Sequence, residues 1–177
     1  MWLSDGFRFL LLGALLALAA CGYSPAYAPG EPARELHVGL IPDPPSNEND
    51  LAFVSRIESR LATQADRAPR YRLGYEISTV RKGVGLTPDQ EIVRYNIFGK
   101  VRYELRDAET GAVLTSGSAD SFTSYSVGSV DASASPPSTN ATIATAAAER
   151  DAYARLMAIL ADQVLTRLVA TADRWAQ

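Results

Sequence analysis

Residues 94–107 read RYNIFGKVRYELRD, and this stretch decides the fold. Its apolar or small residues alternate with mostly polar ones, and successive side chains of a β-strand point to opposite faces. One face would carry Tyr95, Ile97, Gly99, Val101, Tyr103 and Leu105. The other would carry Arg94, Asn96, Phe98, Lys100, Arg102, Glu104 and Arg106. The pattern predicts a long strand with one face in the core and the other facing solvent or a partner.

Further strands are predicted on both sides of this one. Residues 71–78 alternate in the same way and are followed by a predicted loop that contains Gly83, Gly85 and Pro88. Residues 107–111 (DAETG) predict a hairpin connection with Gly111 in the left-handed conformation. Residues 112–127 are serine-rich and weakly patterned, which is typical of an edge strand whose small side chains let a partner approach closely.

Two helices and one short strand complete the prediction. Leu36, Val38 and Leu40 alternate with polar or small residues and predict a first strand. Asn49 or Asp50 is the predicted N-cap of a helix that has one apolar stripe. The stripe is Phe53, Val54, Ile57 and Leu61.

The C-terminal part contains neither proline nor glycine from about Asn140 or Ile143 to Trp175 and predicts a long helix. Its predicted buried stripe is Ala148, Ala152, Leu156, Ile159, Leu160, Val164, Leu168 and Trp175. The sequence therefore predicts an α+β fold in the order β-α-β-β-β-α. Two helices would pack on one face of a four-stranded mixed sheet.

The N-terminus is typical of an exported lipoprotein. Residues 9–20 form an apolar run of 12, which suits a signal peptide and is too short to span a bilayer. Residues 18–21 (LAAC) match the pattern at which bacterial lipoproteins are cleaved and lipidated. We expect a cleaved signal peptide over 1–20, a lipidated tether over 21–33 that starts at Cys21, and one domain over 34–177. Ordinary signal cleavage, with Cys21 incidental, is the alternative.

Composition and motifs argue against several function classes. The formal charge of -3 is unlike that of nucleic-acid binders, and one cysteine allows no intramolecular disulfide. His37 is the only histidine and falls in the first strand pattern. No nucleophile–base pair or metal-ligand spacing is visible, so we expect no enzyme, no metal and no cofactor.

Positive charge is concentrated in the middle of the chain. Residues 67–106 contain nine basic and four acidic side chains, a local charge of +5 in a chain of net charge -3. A solvated sheet face explains this concentration, and so does a site for a phosphorylated ligand, because arginine and lysine suit phosphate.

Four short segments of the chain are similar to segments of one known family: residues 21–27 (CGYSPAY), 106–111 (RDAETG), 148–152 (AERDA) and 159–164 (ILADQV). Through them the chain resembles the LptE family of lipopolysaccharide-assembly lipoproteins in its alphaproteobacterial form. The resemblance implies a non-enzymatic protein that plugs the outer-membrane β-barrel LptD and helps to deliver lipopolysaccharide to the outer leaflet. It also implies outer-membrane sorting, because Gly22 stands where enteric-type retention favours aspartate.

The chain departs from enteric members in two loops that are implicated there in lipid A binding. Residues 83–90 and 128–140 contain no lysine or arginine. The candidate contacts for lipopolysaccharide or another anion are therefore Arg81, Lys82, Arg94, Lys100 and Arg102.

Two other functions are compatible with the residues. One is the auxiliary lipoprotein of a phospholipid-transport ABC system, and the other is a lipid-anchored hydrolase that would depend on His37.

Overall fold

The computed structural model describes residues 31–61, 68–86, 92–127 and 139–176. Its elements are α1 (Pro32–Gly39), β1 (Leu40–Pro42), α2 (Glu48–Arg60), β2 (Tyr71–Leu86), β3 (Ile92–Asp107), β4 (Val113–Ser126), α3 (Thr139–Ala170) and α4 (Ala172–Trp175). The predicted signal peptide and Cys21 lie outside the described residues, as does most of the predicted tether.

The sheet confirms the predicted architecture. Its strand order is β1-β2-β3-β4, with β1 parallel to β2 and the two remaining pairs antiparallel. The helices pack on one side, which we call the covered face; the other side is the open face. The fold is therefore the predicted α+β arrangement with a long C-terminal helix.

Strand β3 orients its two faces as its alternation predicts. The inward side chains Ile97, Val101 and Leu105 are completely buried. Val101 lies between Ile77 of β2 and Ala119 of β4, and Ala119 is completely buried as well. Apolar side chains from all three long strands thus form one continuous apolar surface, against which the helices pack.

Helix α3 packs against this surface through a stripe of buried side chains along its length. The fully buried members are Ala152, Leu156, Met157, Leu160, Ala161, Val164 and Leu168. Gly99 allows the close approach, because a Cβ there would lie 2.9 Å from Leu156 Cδ2 and 3.1 Å from Leu160 Cδ1. The prediction of Ile159 in the stripe is wrong: it is 39% exposed, since it lies about 100° around the helix from Leu160.

Helix α2 confirms the predicted stripe as far as Ile57 and corrects the predicted cap; Leu61, the last predicted member, is partly buried just past the helix end. Phe53, Val54 and Ile57 are buried. The cap is Asn47, whose Oδ1 accepts a hydrogen bond from the backbone N of Asp50 at 2.9 Å. The Asp50 carboxylate in turn accepts from the Ser46 backbone N at 3.2 Å. These reciprocal bonds satisfy backbone donors at the helix start, which an isolated Asn49 or Asp50 cap would not.

The predicted first strand is largely wrong. Residues 32–39 form α1, and the strand begins only at Leu40. Ala33 and Leu36 are both buried and lie three residues apart, which suits one helix face, and a proline occupies the first helical turn. The apolar residues of this short segment fit both periods, so alternation alone could not separate helix from strand. Because α1 starts at Pro32, the last two residues assigned to the tether are helical.

The second strand is longer than predicted, and the hairpin is as predicted. Strand β2 continues to Leu86 through the predicted loop, and its pairing with β3 shifts register at Gly83 and Gly85. Glycine is tolerated at such irregularities, so its presence did not end the strand. Gly111 has φ 72°, the predicted left-handed conformation.

Tyr75 supplies a stability test inside the core. Its ring packs against Phe53 with centroids 5.0 Å apart, and its buried hydroxyl has no hydrogen-bond partner among the described residues. Burial raises the pKa of Tyr75 to about 12, so the phenol stays neutral at physiological pH. We expect Tyr75→Phe to raise the free energy of unfolding by about 1 kcal/mol, measured by thermal unfolding, because it removes an unsatisfied polar group.

Tyr125→Phe is the matched control. The Tyr125 hydroxyl accepts a hydrogen bond from Arg81 Nη1 at 3.2 Å, so its removal should be neutral or destabilising. A Tyr75→Phe protein that unfolds at a lower temperature than the wild type would show that this hydroxyl is satisfied after all.

Candidate functional site

The open face of the three long strands is the candidate site. It carries six cationic side chains against three carboxylates. The cations are Arg72, Lys82, Arg94, Lys100, Arg102 and Arg106, and the carboxylates are Glu76, Glu104 and Asp120. Strand alternation places them on the side opposite to the buried residues, and all of them are exposed.

Some of these charges neutralise each other. Arg102 Nη2 lies 2.9 Å from Glu76 Oε2, and Arg106 Nη2 lies 2.7 Å from Glu104 Oε2. Lys82, Arg94 and Lys100 form no ion pair within the described part of the chain. They are therefore the three cations best placed to attract an anion from solution.

An apolar row crosses the open face between these cations. Val80, Phe98 and Phe122 are opposite one another on β2, β3 and β4, and they are 55%, 40% and 61% exposed. The Phe98 and Phe122 rings lie 5.8 Å apart, and Lys82 Nζ lies 5.6 Å from the centre of the Phe98 ring. The face can therefore contact an apolar group and an anionic group together.

Beside this row lies a shallow groove of about 600 Å³. Lys100 and Arg102 line it together with Glu76, and Gly74 and Ser118 leave room at its two sides. Three cations and three carboxylates line the groove in all, so its net charge is close to zero.

The structure brings four of the five predicted contact residues onto one face. Lys82, Arg94, Lys100 and Arg102 share the open face. Arg81 instead lies opposite Ile97 on the covered face.

Arg81 has its own partners near the start of α3. Its Nη1 donates to Glu149 Oε1 at 2.7 Å and to the Tyr125 hydroxyl, and its guanidinium lies 4.9 Å from the centre of the Tyr95 ring. The hydrogen bond to Tyr125 and the charge of Glu149 raise the pKa of Arg81. These contacts connect β2 and β4 to α3, so the role of Arg81 is structural.

Sequence reasoning missed the apolar row. Phe98 was placed on the polar face, but Val80 fell next to a predicted loop and β4 had no clear pattern. Because the row exists only through the register of three strands, no single segment signals it.

The described ranges contain no helix that is long and apolar enough to cross a membrane. They contain no group of three or more histidine, cysteine, aspartate or glutamate side chains that could hold a metal ion.

The family is decided by a match to the family model described as LptE, lipopolysaccharide-assembly, over residues 33–168. The chain belongs to the LptE family. This family is non-enzymatic and associates with the lipopolysaccharide transport machinery. The chain is thus an envelope lipoprotein of a Gram-negative bacterium with a role in lipopolysaccharide assembly.

Solved structures share the LptE-like fold. A putative lipoprotein from Caulobacter crescentus CB15 is 18% identical with a TM-score of 0.60, and the match covers 80% of this chain and 96% of that one. Rare lipoprotein B from Shewanella oneidensis is 13% identical with a TM-score of 0.51, covering 79% and 98%. At these identities the likeness concerns the fold alone. No curated protein matches the chain.

Proposed function

We propose that this LptE-family chain is an outer-membrane lipoprotein that plugs an LptD-type β-barrel and supports lipopolysaccharide transport to, and insertion in, the outer leaflet. The observation that carries the proposal is the family match over residues 33–168. The lipid would be attached at Cys21, and the domain would face the periplasm.

The shape of the domain supports the plug. The polar lumen of a wide barrel is an open aqueous channel unless a protein segment fills it. Three long strands and a 32-residue helix surround one core, and the open face of the sheet carries mostly charged and polar side chains. Such a body can fill a lumen while the lipid holds it at the membrane.

The open face supports direct contact with lipopolysaccharide. Its cations suit phosphate groups, and the row of Val80, Phe98 and Phe122 suits acyl chains. We assign the contact to Lys82, Arg94, Lys100 and Arg102. Arg81 would have to leave Glu149 before it could contribute.

Charge reversal tests this contact. We expect the double variant Arg94→Glu and Lys100→Glu to bind purified lipopolysaccharide about tenfold more weakly at low salt, because two attractive charges become repulsive. The difference should shrink as salt is added, since both side chains are exposed. Titration of fluorescent lipopolysaccharide into the detergent-solubilised protein measures both effects.

Arg150→Glu is the control for net charge. Arg150 is exposed on α3, away from the open face, and lies 3.5 Å from Glu48. Its reversal should leave binding within about twofold of the wild type. Equal losses in the two proteins would mean that lipopolysaccharide responds to total charge and not to the open face.

A further inference from the structure

A pocket of about 740 Å³ lies among the helices of the covered face. Helix α1, the end of α2 and the C-terminal part of α3 supply its walls. Its volume is within the range of protein pockets that hold small ligands, about 300–1,000 Å³. The sheet separates this pocket from the open face, so the lipopolysaccharide contact proposed above does not use it.

The inner wall of the pocket is apolar. Leu36 of α1 is buried, whereas Leu61, Leu165 and Val169, which line the pocket with it, are only partly buried. On α3 the lining extends over residues 162–170, about 12 Å along the helix axis. A methylene chain that lies along α3 would remove this apolar surface from water, which is favourable.

The rim of the pocket carries more positive than negative charge. Its charged side chains are Arg34, Arg60 and Asp162. The Asp162 carboxylate is already engaged, because it accepts hydrogen bonds from Arg56 Nε at 3.1 Å and from Arg56 Nη2 at 2.7 Å. Arg60 Nε lies 3.4 Å from the same carboxylate, and Arg34 is exposed and forms no ion pair within the described ranges. Three guanidinium groups at or beside the rim thus share one carboxylate.

We propose that this pocket binds a single-chain amphiphile with an anionic head, a fatty acid or an alkyl phosphate. The chain lies along α3 against Leu165 and Val169, and the carboxylate or phosphate meets Arg34 and Arg60 at the rim. Guanidinium groups bind both kinds of head through charge-assisted hydrogen bonds. A cationic head would instead meet surplus charge of its own sign. The site is independent of the plug, because a chain that fills a barrel one to one can still hold such a ligand.

Photolabelling of the full chain in nanodiscs of phosphatidylcholine tests the ligand class. The probe is dodecanoate that carries a diazirine on its chain, and mass spectrometry maps the labelled peptides. We expect label on α1 and on residues 162–170, reduced at least fivefold by excess unlabelled dodecanoate. Dodecyl phosphate as competitor shows whether a phosphate head is accepted as well. No saturable label on these segments, or equal competition by dodecyltrimethylammonium, overturns the proposal.

Substitutions at Arg34 test the role of the rim charge. Arg34→Gln should lower the saturable labelling about fivefold, whereas Arg34→Lys should keep it within about twofold of the wild type because the charge remains. Arg155→Gln is the matched control, since Arg155 is an exposed arginine of α3 that lies about 10 Å before the pocket along the helix. It should label like the wild type. Equal losses in Arg34→Gln and Arg155→Gln contradict an anion site at this rim.

Filling the pocket tests the position of the chain. Ala170 lines the pocket and is exposed, so a larger side chain there need not disturb the core. Ala170→Trp should lower the saturable labelling about fivefold. Ala147→Trp adds the same side chain at an exposed position near the other end of α3 and should change nothing. Undiminished labelling of Ala170→Trp would show that the acyl chain lies elsewhere.

Discussion

Leu160→Asp is expected to unfold the domain. Leu160 is completely buried in the middle of α3, and one of its methyl carbons lies close to Gly99 of β3. The substitution leaves a cavity and puts a carboxylate without a partner into an apolar core. Together these effects should cost about 4 kcal/mol or more, a large part of the stability of a typical domain. Circular dichroism during heating should show a transition that is lost or shifted down by more than about 10 °C.

Ile159→Asp is the control at the next position of the same helix. Ile159 is 39% exposed, so water can solvate the new carboxylate. We expect a loss below about 1 kcal/mol. Equal losses in the two variants would mean that Leu160 and Ile159 are equally buried. The buried face of α3 would then be assigned incorrectly.

Cys21→Ser is expected to abolish lipid attachment. The serine hydroxyl cannot take the place of the thiol in the transfer of diacylglycerol, so processing should stop before cleavage and an uncleaved precursor should accumulate. Each buried methylene contributes about 0.8 kcal/mol, and a protein with several acyl chains is held firmly where one chain binds only marginally. Metabolic labelling with palmitate should give no label in the variant.

Gly22→Asp is the control for this prediction. It keeps the thiol at Cys21, so labelling should equal that of the wild type. Under enteric-type sorting the variant should fractionate with the inner membrane. A Cys21→Ser protein that still carries palmitate would show that the lipid is attached elsewhere.

The sequence predicted the elements whose period is long and consistent. In β3 the alternation extends over about 12 residues, so its buried face could be named correctly from Ile97 to Leu105. In α3 the absence of proline and glycine and a repeating apolar stripe located the helix. Two members of the stripe were misplaced: Ile159 lies at its exposed margin, and Trp175 lies in the separate helix α4 because α3 ends at Ala170.

Short or irregular segments were harder to predict for physical reasons. Residues 36–40 fit both periods, and the helix α1 is favoured by packing of Ala33 and Leu36 against other elements. The glycines at 83 and 85 indicated a loop, whereas pairing with β3 stabilises a continuous strand. In the candidate site, Arg81 was grouped with Lys82 because both lie in the basic stretch 67–106, yet adjacent strand residues point to opposite faces. The grouping of Val80, Phe98 and Phe122 required the register of the whole sheet.

Purification of the full chain with a C-terminal tag from detergent-solubilised outer membrane tests the central claim most directly. We predict that mass spectrometry will identify one β-barrel protein of the LptD type, recovered in a ratio of about one to one. Recovery with subunits of an inner-membrane phospholipid transporter, or with no barrel protein, would contradict the plug assignment.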